Sequence, residues 1–179
     1  MLVDRKYILP KLPDYETFID KFCFDYDDAV PINNLTFTTH GLDRLLVYFT
    51  DEETIGIKQI LKLYDLMNEK DIVHCVFVYP GSLTFTAKKF LHSKKEIRVE
   101  TFCEDELIVN ITKHMFSPTF HVLTELEKKE ITSKFNGQYP KLLATDPIAK
   151  YFGLRKNDII QIDRRSETVG IYTTFRIVC

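Results

Sequence analysis

The sequence predicts an α/β domain over residues 1–112, followed by a small α+β domain over residues 113–179. A strand–helix–strand pattern between residues 45 and 79 predicts the first fold class. The second follows from a change of character after Asn110-Ile111-Thr112, where capped helices are followed by two strands. Hydrophobic residues make up 45% and charged residues 28% of the 179 residues, which is typical of a folded globular protein and argues against extended disorder.

The strongest signals in the first domain are one helix and the strand after it. Apolar residues recur at helical spacing over residues 56–70 and form a single stripe. An almost continuous apolar run over residues 72–79 is typical of a strand that is buried on both faces, as in parallel sheets. With a strand at 45–49, these elements form a βαβ unit. The other elements predicted for this domain are a helix at 15–24, a strand at 35–39, a helix at 84–92 and a strand at 97–103.

Two helix start signals define the second domain. Thr124 and Glu127 have the spacing of a capping box, and the helix that they open should end at Asn136-Gly137. Asp146-Pro147 predicts an N-cap followed by proline at the first helical position, and Gly153 can close this short helix in the left-handed conformation.

Two strands, at 158–163 and 172–178, complete the second domain, which has only 67 residues. A domain of this size is marginally stable alone, which favours a bound partner.

The two domains carry opposite net charges. Residues 1–112 hold 13 basic and 19 acidic residues, a net charge of −6, whereas residues 113–179 hold 11 basic and 7 acidic residues, a net charge of +4. This asymmetry suits docking onto other proteins as well as a loose approach to DNA. Because no apolar stretch has the length of a signal peptide or a membrane span, we expect a soluble intracellular protein without membrane contact.

No pattern in the chain predicts catalysis, a cofactor, a metal or a small-molecule substrate. The four cysteines lack the clustering of a zinc site or a disulfide scaffold, and we expect reduced, mostly buried thiols. His74 and Cys75 are adjacent in a predicted strand, so they should face opposite sides of the sheet. His114 and His121 have no identifiable third ligand for a metal ion. Motifs of nucleotide binding, serine hydrolases and zinc proteases are absent from the sequence.

The C-terminal segment resembles a known family. It reads Asp146-Pro-Ile-Ala-Lys-Tyr-Phe-Gly153, then a strand, then Arg164-Arg-Ser-Glu-Thr-Val-Gly170, then Tyr172-Thr-Thr-Phe-Arg176. This series is similar to D-P-[VI]-A-[RK]-Y-x-G, a hydrophobic strand, and R-P-S-E-T-x-G-R-Y-x-T-Y-R. That pattern belongs to the C-terminal domain of the fifth-largest subunit that eukaryotic RNA polymerases I, II and III share. The archaeal counterpart of this subunit consists of little more than the same domain.

The resemblance extends upstream and covers roughly residues 45–178. Residues 114–121, with Ser117-Pro118, are similar to the family's H-x-L-[VS]-P-x-H with one extra residue. Residues 55–60 are similar to its V-G-I-K-x-I, and residues 107–112 to its E-L-L-I-N-I-T.

Three departures mark the chain as a divergent member of this family. Arg165 stands where the family has proline, Ile171 where it has arginine, and Asn157 where it has a turn glycine. Such divergence is typical of a protein from a large DNA virus or from a compacted eukaryotic genome.

The resemblance implies a non-catalytic structural subunit of a DNA-directed RNA polymerase. The C-terminal domain would dock on the largest polymerase subunit, within a complex of further subunits. The N-terminal domain would be a restriction-endonuclease-like jaw domain that reaches toward downstream duplex DNA and touches it weakly. The implied location is the nucleus for a cellular protein, and the virion or host cytoplasm for a viral one.

The family motifs also imply a set of subunit-interface residues. The two arginines of this set can form bidentate bonds to carboxylates, either within the domain or on a neighbouring subunit. The serine, glutamate and threonine suit a turn that holds backbone amides with its own side chains. A local structural role and a partner contact therefore both remain open for these residues, which are Asp146, Pro147, Arg164, Ser166, Glu167, Thr168 and Arg176.

A DNA-proximal turn is implied at residues 81–89, because the family places the turn into its second N-terminal helix nearest the duplex. Helix N-termini and hydroxyl groups can meet phosphate oxygens. An ordinary helix cap followed by solvated lysines is the competing interpretation. In either case an acidic domain should contact DNA only weakly and without sequence preference. The implied residues are Thr84, Phe85, Thr86, Lys88 and Lys89.

Two alternative functions are a metal-dependent nuclease and a stand-alone protein-interaction module. A nuclease of the restriction-endonuclease type needs (D/E)-x-K to hold a divalent metal and activate water. The candidate lysine is Lys58, but Gly56 occupies the position of the carboxylate. The helical pattern also places Lys58 on the outer face of its helix, so the sequence disfavours the nuclease.

Overall fold

A computed structural model gives the fold and describes residues 1–8, 16, 36–39, 44–94, 96–135, 138–166, 168 and 170–179. These residues divide into two compact units, one formed by residues 2–109 and the other by residues 110–179 together with residue 1. The helix predicted at 15–24 lies outside the described residues except for Glu16. Of the helices that the structure describes, none has the length and apolar character needed to cross a membrane.

A four-stranded sheet forms the centre of the unit of residues 2–109. Strand β2 (Leu45–Phe49) pairs antiparallel with β1 (Phe37–Thr38) on one side and parallel with β4 (His74–Tyr79) on the other, and β4 pairs parallel with β6 (Arg98–Cys103). Cys75 to Val78 on β4 are almost completely buried, as expected for the apolar run over residues 72–79. In order across the sheet, the strands are β1, β2, β4 and β6.

Helices connect the parallel strands of this sheet. The helix α1 (Ile57–Glu69) joins β2 to β4, and the predicted βαβ unit is therefore confirmed. Its apolar stripe packs into the core at Ile60, Tyr64 and Met67, with Leu63 beside them, whereas Ile57 and Leu61 at its edge are exposed. The helix α2 (Phe85–Ser93) leads into β6, and the short helix α3 (Asp105–Ile108) follows it.

A second, two-stranded parallel sheet was not predicted. Strand β3 (Thr54–Ile55) lies directly before α1, and strand β5 (Ser82–Leu83) lies directly before α2. The pair therefore fastens the starts of the two helices to each other.

The unit of residues 110–179 is also built on a four-stranded sheet. Its strands are antiparallel except for one parallel pair at an edge of the sheet. In order across the sheet, they are β7 (Thr119–Val122), β9 (Ile159–Ser166), β10 (Gly170–Val178) and β8 (Lys141–Leu142). The unit also contains a 3-10 turn (Ile111–Lys113) and the helices α4 (Glu125–Phe135) and α5 (Pro147–Phe152).

The core of this unit lies on one face of its sheet. Ile160, Ile162 and Val178 point to that face and pack with Leu142 and with Ala149 of α5. The sheet thus buries one face against α5, and the sequence had indicated only its two longer strands.

The start of α4 is set by the local signal that the sequence predicted. The Glu127 carboxylate accepts hydrogen bonds from the Thr124 amide at 2.7 Å and from the Thr124 hydroxyl at 2.8 Å, and the Glu127 amide donates back to that hydroxyl at 3.4 Å. This is the predicted capping box. Bonds from the amide and hydroxyl of Thr124, with a further one from His121, lower the pKa of Glu127. The predicted stop at residues 136–137 lies outside the described residues.

The departure at Asn157 has a backbone explanation. Asn157 has a φ of 72°, in the left-handed region, where the family has a turn glycine. Asparagine tolerates this region better than other residues with a side chain. The substitution therefore keeps the turn before β9.

Candidate functional site

The helix α5 places two of the predicted interface residues. The Asp146 carboxylate caps the helix by accepting a hydrogen bond from the Ile148 amide at 2.9 Å, and Pro147 occupies the first helical position. Gly153 ends the helix with a φ of 62°. These three features agree with the start and stop predicted from the sequence. Asp146 consequently has a local structural role whether or not it meets a partner.

The hairpin formed by β9 and β10 places the two arginines. Arg164 lies opposite Tyr172, and Arg176 lies opposite Ile160. Because residues two or four apart on a strand share a face, both arginines point to the face of the sheet that carries Ile160 and Ile162. Arg164 is exposed and Arg176 is partly buried at the edge of the core.

The residues at the tip of the hairpin are only partly described. Glu167 and the side chain of Ser166 lie outside the described part of the chain, and Thr168 is exposed. Whether these three side chains hold the turn together therefore stays a prediction.

One cleft brings together four of the seven predicted interface residues, namely Asp146, Pro147, Arg164 and Arg176. Its volume is about 370 Å³. Apart from Ser117, apolar side chains, including Phe120 and Ile162, form the rest of its wall. We call this feature the arginine cleft.

A second groove adjoins the arginine cleft and shares Arg164 with it. The groove has a volume of about 690 Å³ and is lined by Met115 and Phe116 on one side and by Asp163 to Arg165 on the other. Met115 is 84% exposed and Phe116 is 81% exposed. The sequence motifs did not predict this pair, whose signal is two large apolar residues beside Ser117-Pro118 in a polar segment.

The turn before α2 has the geometry of a helix cap. The Thr84 hydroxyl donates to the Ile55 carbonyl at 3.0 Å and accepts from the Ala87 amide at 3.3 Å. The Thr84 amide also donates to the Ile55 carbonyl at 3.1 Å. The hydroxyl of Thr84 is therefore engaged within the chain, as in the competing interpretation of this turn.

The remaining residues of this turn face solvent. The Phe85 ring is 79% exposed, and Thr86, Lys88 and Lys89 are also exposed. The amides of Phe85 and Thr86 stand at the first two positions of α2, where an amide has no partner in its own helix. The turn thus presents two amides, an aromatic ring and two ammonium groups on one short stretch of chain.

The unit of residues 2–109 contains a buried ion-pair cluster that the sequence did not predict. The Glu100 carboxylate on β6 contacts Arg5 at 2.8 Å, His74 at 2.9 Å and Arg98 at 2.7 Å. Burial alone would raise the pKa of Glu100, but the hydrogen bond from His74 and the positive charges of Arg5 and Arg98 outweigh it and hold the pKa at about 2. The Tyr7 hydroxyl lies 3.2 Å from the other ring nitrogen of His74. The cluster fastens the segment of residues 2–8 to the sheet.

The residues weighed for catalysis or metal binding are dispersed in the structure. Cys75 is buried in the core, which raises the pKa of its thiol, while its neighbour His74 pairs with Glu100. Lys58 is exposed on α1, and Gly56 caps that helix. Among the described residues, no three histidine, cysteine or acidic side chains come close enough to hold a metal ion.

Comparison with known proteins gives first the class of the chain. Residues 109–178 match the family model described as RNA polymerase Rpb5, C-terminal domain. This segment spans the arginine cleft, the groove beside it and the hairpin that joins them. The chain is thus a subunit of an RNA polymerase, and the described fold of mixed α/β units agrees with that class.

Relatives along the whole chain identify the family. The chain is 33% identical over 189 residues to the subunit rpabc1 of DNA-directed RNA polymerases I, II and III of Dictyostelium discoideum, covering 99% of this chain and 96% of the relative. It is 36% identical over 140 residues to RPABC1 of Caenorhabditis briggsae and of Caenorhabditis elegans, covering 76% of this chain and 66% of each relative. The chain belongs to the Rpb5 family of RNA polymerase subunits.

Family membership decides several of the predictions. The predicted family is confirmed, and so is a function in transcription as a non-catalytic polymerase subunit. Other polymerase subunits are accordingly its partners. Because these relatives are eukaryotic, the family implies a nuclear location if the protein is cellular.

Proposed function

We propose that the unit of residues 110–179 docks this chain on the largest subunit of the polymerase. The observation that carries the proposal is the arginine cleft, which gathers Asp146, Pro147, Arg164 and Arg176 at one place on the surface. A small unit of marginal stability gains from such a partner, because binding to the folded state stabilises it.

The surface beside the arginine cleft supports a protein partner in particular. Met115, Phe116 and Tyr172 are exposed, and Arg164 and Arg165 lie beside them. Aromatic residues, methionine and arginine are enriched at protein interfaces, where a few such residues provide most of the binding free energy. The composition of this surface is therefore typical of a protein–protein interface.

We further propose that the unit of residues 2–109 is the jaw domain and lies near downstream duplex DNA. Its parallel strands joined by helices are compatible with a restriction-endonuclease-like core. The turn at residues 81–89 is the proposed DNA-facing element, with Phe85, Thr86, Lys88 and Lys89 as its exposed residues. The net charge of −6 over residues 1–112 limits any such contact to a few phosphates.

Full-length chains with single substitutions test the docking proposal. Phe116→Glu places a charge in the groove beside the arginine cleft, and we expect at least about a tenfold loss of largest subunit recovered with the tagged chain. Leu61→Glu is the matched control, because Leu61 is exposed on α1 in the other unit and its change should leave recovery unaltered. The opposite pattern, with only Leu61→Glu releasing the largest subunit, would reverse the assigned roles.

Charge reversal at the turn tests the DNA proposal. In assembled polymerase, Lys88→Glu/Lys89→Glu should shorten the lifetime of elongation complexes at low salt. The logarithm of complex stability should then depend less steeply on the logarithm of salt concentration, by up to about 2 in slope if both lysines neutralise phosphates. The control is Lys58→Glu/Lys62→Glu, which makes the same charge change on the exposed face of α1. Equal lifetimes for both double variants and the wild type would show that the turn does not touch DNA.

A further inference from the structure

We propose that the arginine cleft receives a carboxylate side chain from the polymerase subunit on which this chain docks. This inference rests on the proposed docking function and adds to it the chemistry of the contact. The occupant is an aspartate or glutamate of the partner, held between Arg164 and Arg176.

The sheet register brings the two arginines to one binding position. Arg176 lies opposite Ile160, and Arg164 lies four residues further along the same strand as Ile160. Four residues of strand span about 13 Å, so two long side chains on the same face can reach a group between them. Arg164 and Arg176 both line the same cleft, which has a volume of about 370 Å³.

The charges in the cleft are not balanced by its own wall. Among the described residues, no carboxylate lies within 4.0 Å of the guanidinium group of Arg164 or Arg176. Asp146 is the acidic residue of the cleft wall, and its carboxylate is already bonded to the Ile148 amide at 2.9 Å. The cleft wall thus holds two arginines and one aspartate, which leaves it with a net positive charge.

The apolar part of the wall makes this position selective. Pro118, Phe120 and Ile162 line the cleft beside the arginines, and a seated partner would exclude water from it. In such surroundings a charge-assisted hydrogen bond is stronger than in water, and arginine matches the planar geometry of a carboxylate. An acidic side chain flanked by apolar residues fits this wall, whereas a basic segment would place like charges together.

Carbodiimide coupling in the assembled polymerase tests the contact directly. Arg176→Lys places an amine in the cleft, and carbodiimide joins an amine to a carboxylate that touches it. Mass spectrometry of the cross-linked peptides should show position 176 joined to an aspartate or glutamate of another polymerase subunit. Arg155→Lys is the control, because Arg155 is exposed and does not line the cleft. Coupling of position 176 only to Asp146 or Glu167 of its own chain, or no coupling in an intact complex, would overturn the inference.

Affinity measurements separate this inference from the docking proposal. Arg164→Gln/Arg176→Gln should weaken binding to the largest subunit by at least about tenfold at low salt, with less loss for the double lysine variant. If the wild type binds and the glutamine variant binds equally well, the docking proposal stands and the carboxylate contact is wrong. If the wild-type chain itself does not bind the largest subunit, both are wrong.

Discussion

Glu100→Gln should lower the free energy of unfolding of the unit of residues 2–109 by about 3 kcal/mol at neutral pH. The glutamine would remove the negative charge that the Arg5 side chain, which is only 5% exposed, pairs with at 2.8 Å. Removing one member of a buried ion pair is strongly destabilising because the other charge stays buried. The lowered pKa of Glu100 gives a destabilisation of the same magnitude. The pKa falls from 4.5 to about 2, and each pKa unit corresponds to about 1.4 kcal/mol of stability.

The pH dependence of this effect has a definite sign. Because the folded state lowers the pKa of Glu100, its contribution is fully present above pH 4.5 and is lost as the pH falls toward about 2. The stability difference between wild type and Glu100→Gln should therefore shrink across this window. Denaturant unfolding followed by circular dichroism measures this stability difference, and hydrogen exchange of the β6 amides assigns it to the unit of residues 2–109.

Glu96→Gln provides the control for this measurement. Glu96 is exposed shortly before β6, so its neutralisation should change stability by less than about 0.5 kcal/mol. A difference between wild type and Glu100→Gln that stays constant from pH 7 to pH 2 would contradict the role assigned to the carboxylate.

The elements that the sequence predicted well are those with a repeated or chemically specific signal. The helix α1 and the strand β4 have apolar residues at regular spacing over many positions, and most of these residues are buried in the core. The helix α5 was predicted to begin after Asp146 and to end at Gly153, because its N-cap, proline and left-handed glycine act locally. Such signals need no knowledge of distant parts of the chain.

Short strands could not be predicted for the opposite reason. The pair β3–β5 exists because Thr54 meets Ser82, and two-residue strands have no periodicity to detect. The strand β8 likewise forms only because Leu142 lies beside Val178 on β10. These strands form through tertiary pairing, and the local sequence does not predict them.

The candidate site was predicted by resemblance rather than by pattern. The family motifs implied that Arg164 and Arg176 are interface residues. Only the structure shows that the two lie on one face of the sheet and line one cleft with Asp146. The sequence could not predict that Met115 and Phe116 are exposed, because large apolar residues occur in cores as well as at surfaces. The ion pairs of Glu100 depend on residues far apart in the chain, which no local pattern brings together.

Gly81→Ala should destabilise the unit of residues 2–109 by about 3 kcal/mol, the upper part of the range for overpacking. A Cβ atom at position 81 would lie 2.0 Å from the Glu53 carbonyl oxygen, which is backbone and cannot rotate away. That oxygen accepts a hydrogen bond from the Ser82 amide at 2.8 Å, at the start of the pair β3–β5. The two strands must separate to admit the methyl group.

The strand pair also holds the proposed DNA-facing turn, so the variant should loosen the turn as well. Thr84 is bonded to the Ile55 carbonyl through its amide and its hydroxyl, and both bonds depend on the spacing of β3 and β5. Hydrogen exchange should therefore accelerate at residues 82–87 in Gly81→Ala before the whole unit unfolds. Gly56→Ala is the matched control, because its nearest neighbour is the Gln59 side-chain oxygen at 3.2 Å, which can move. We expect that control to lose less than about 1 kcal/mol. Equal stability and equal exchange of Gly81→Ala and wild type would show that β3 and β5 can separate without consequence for the turn.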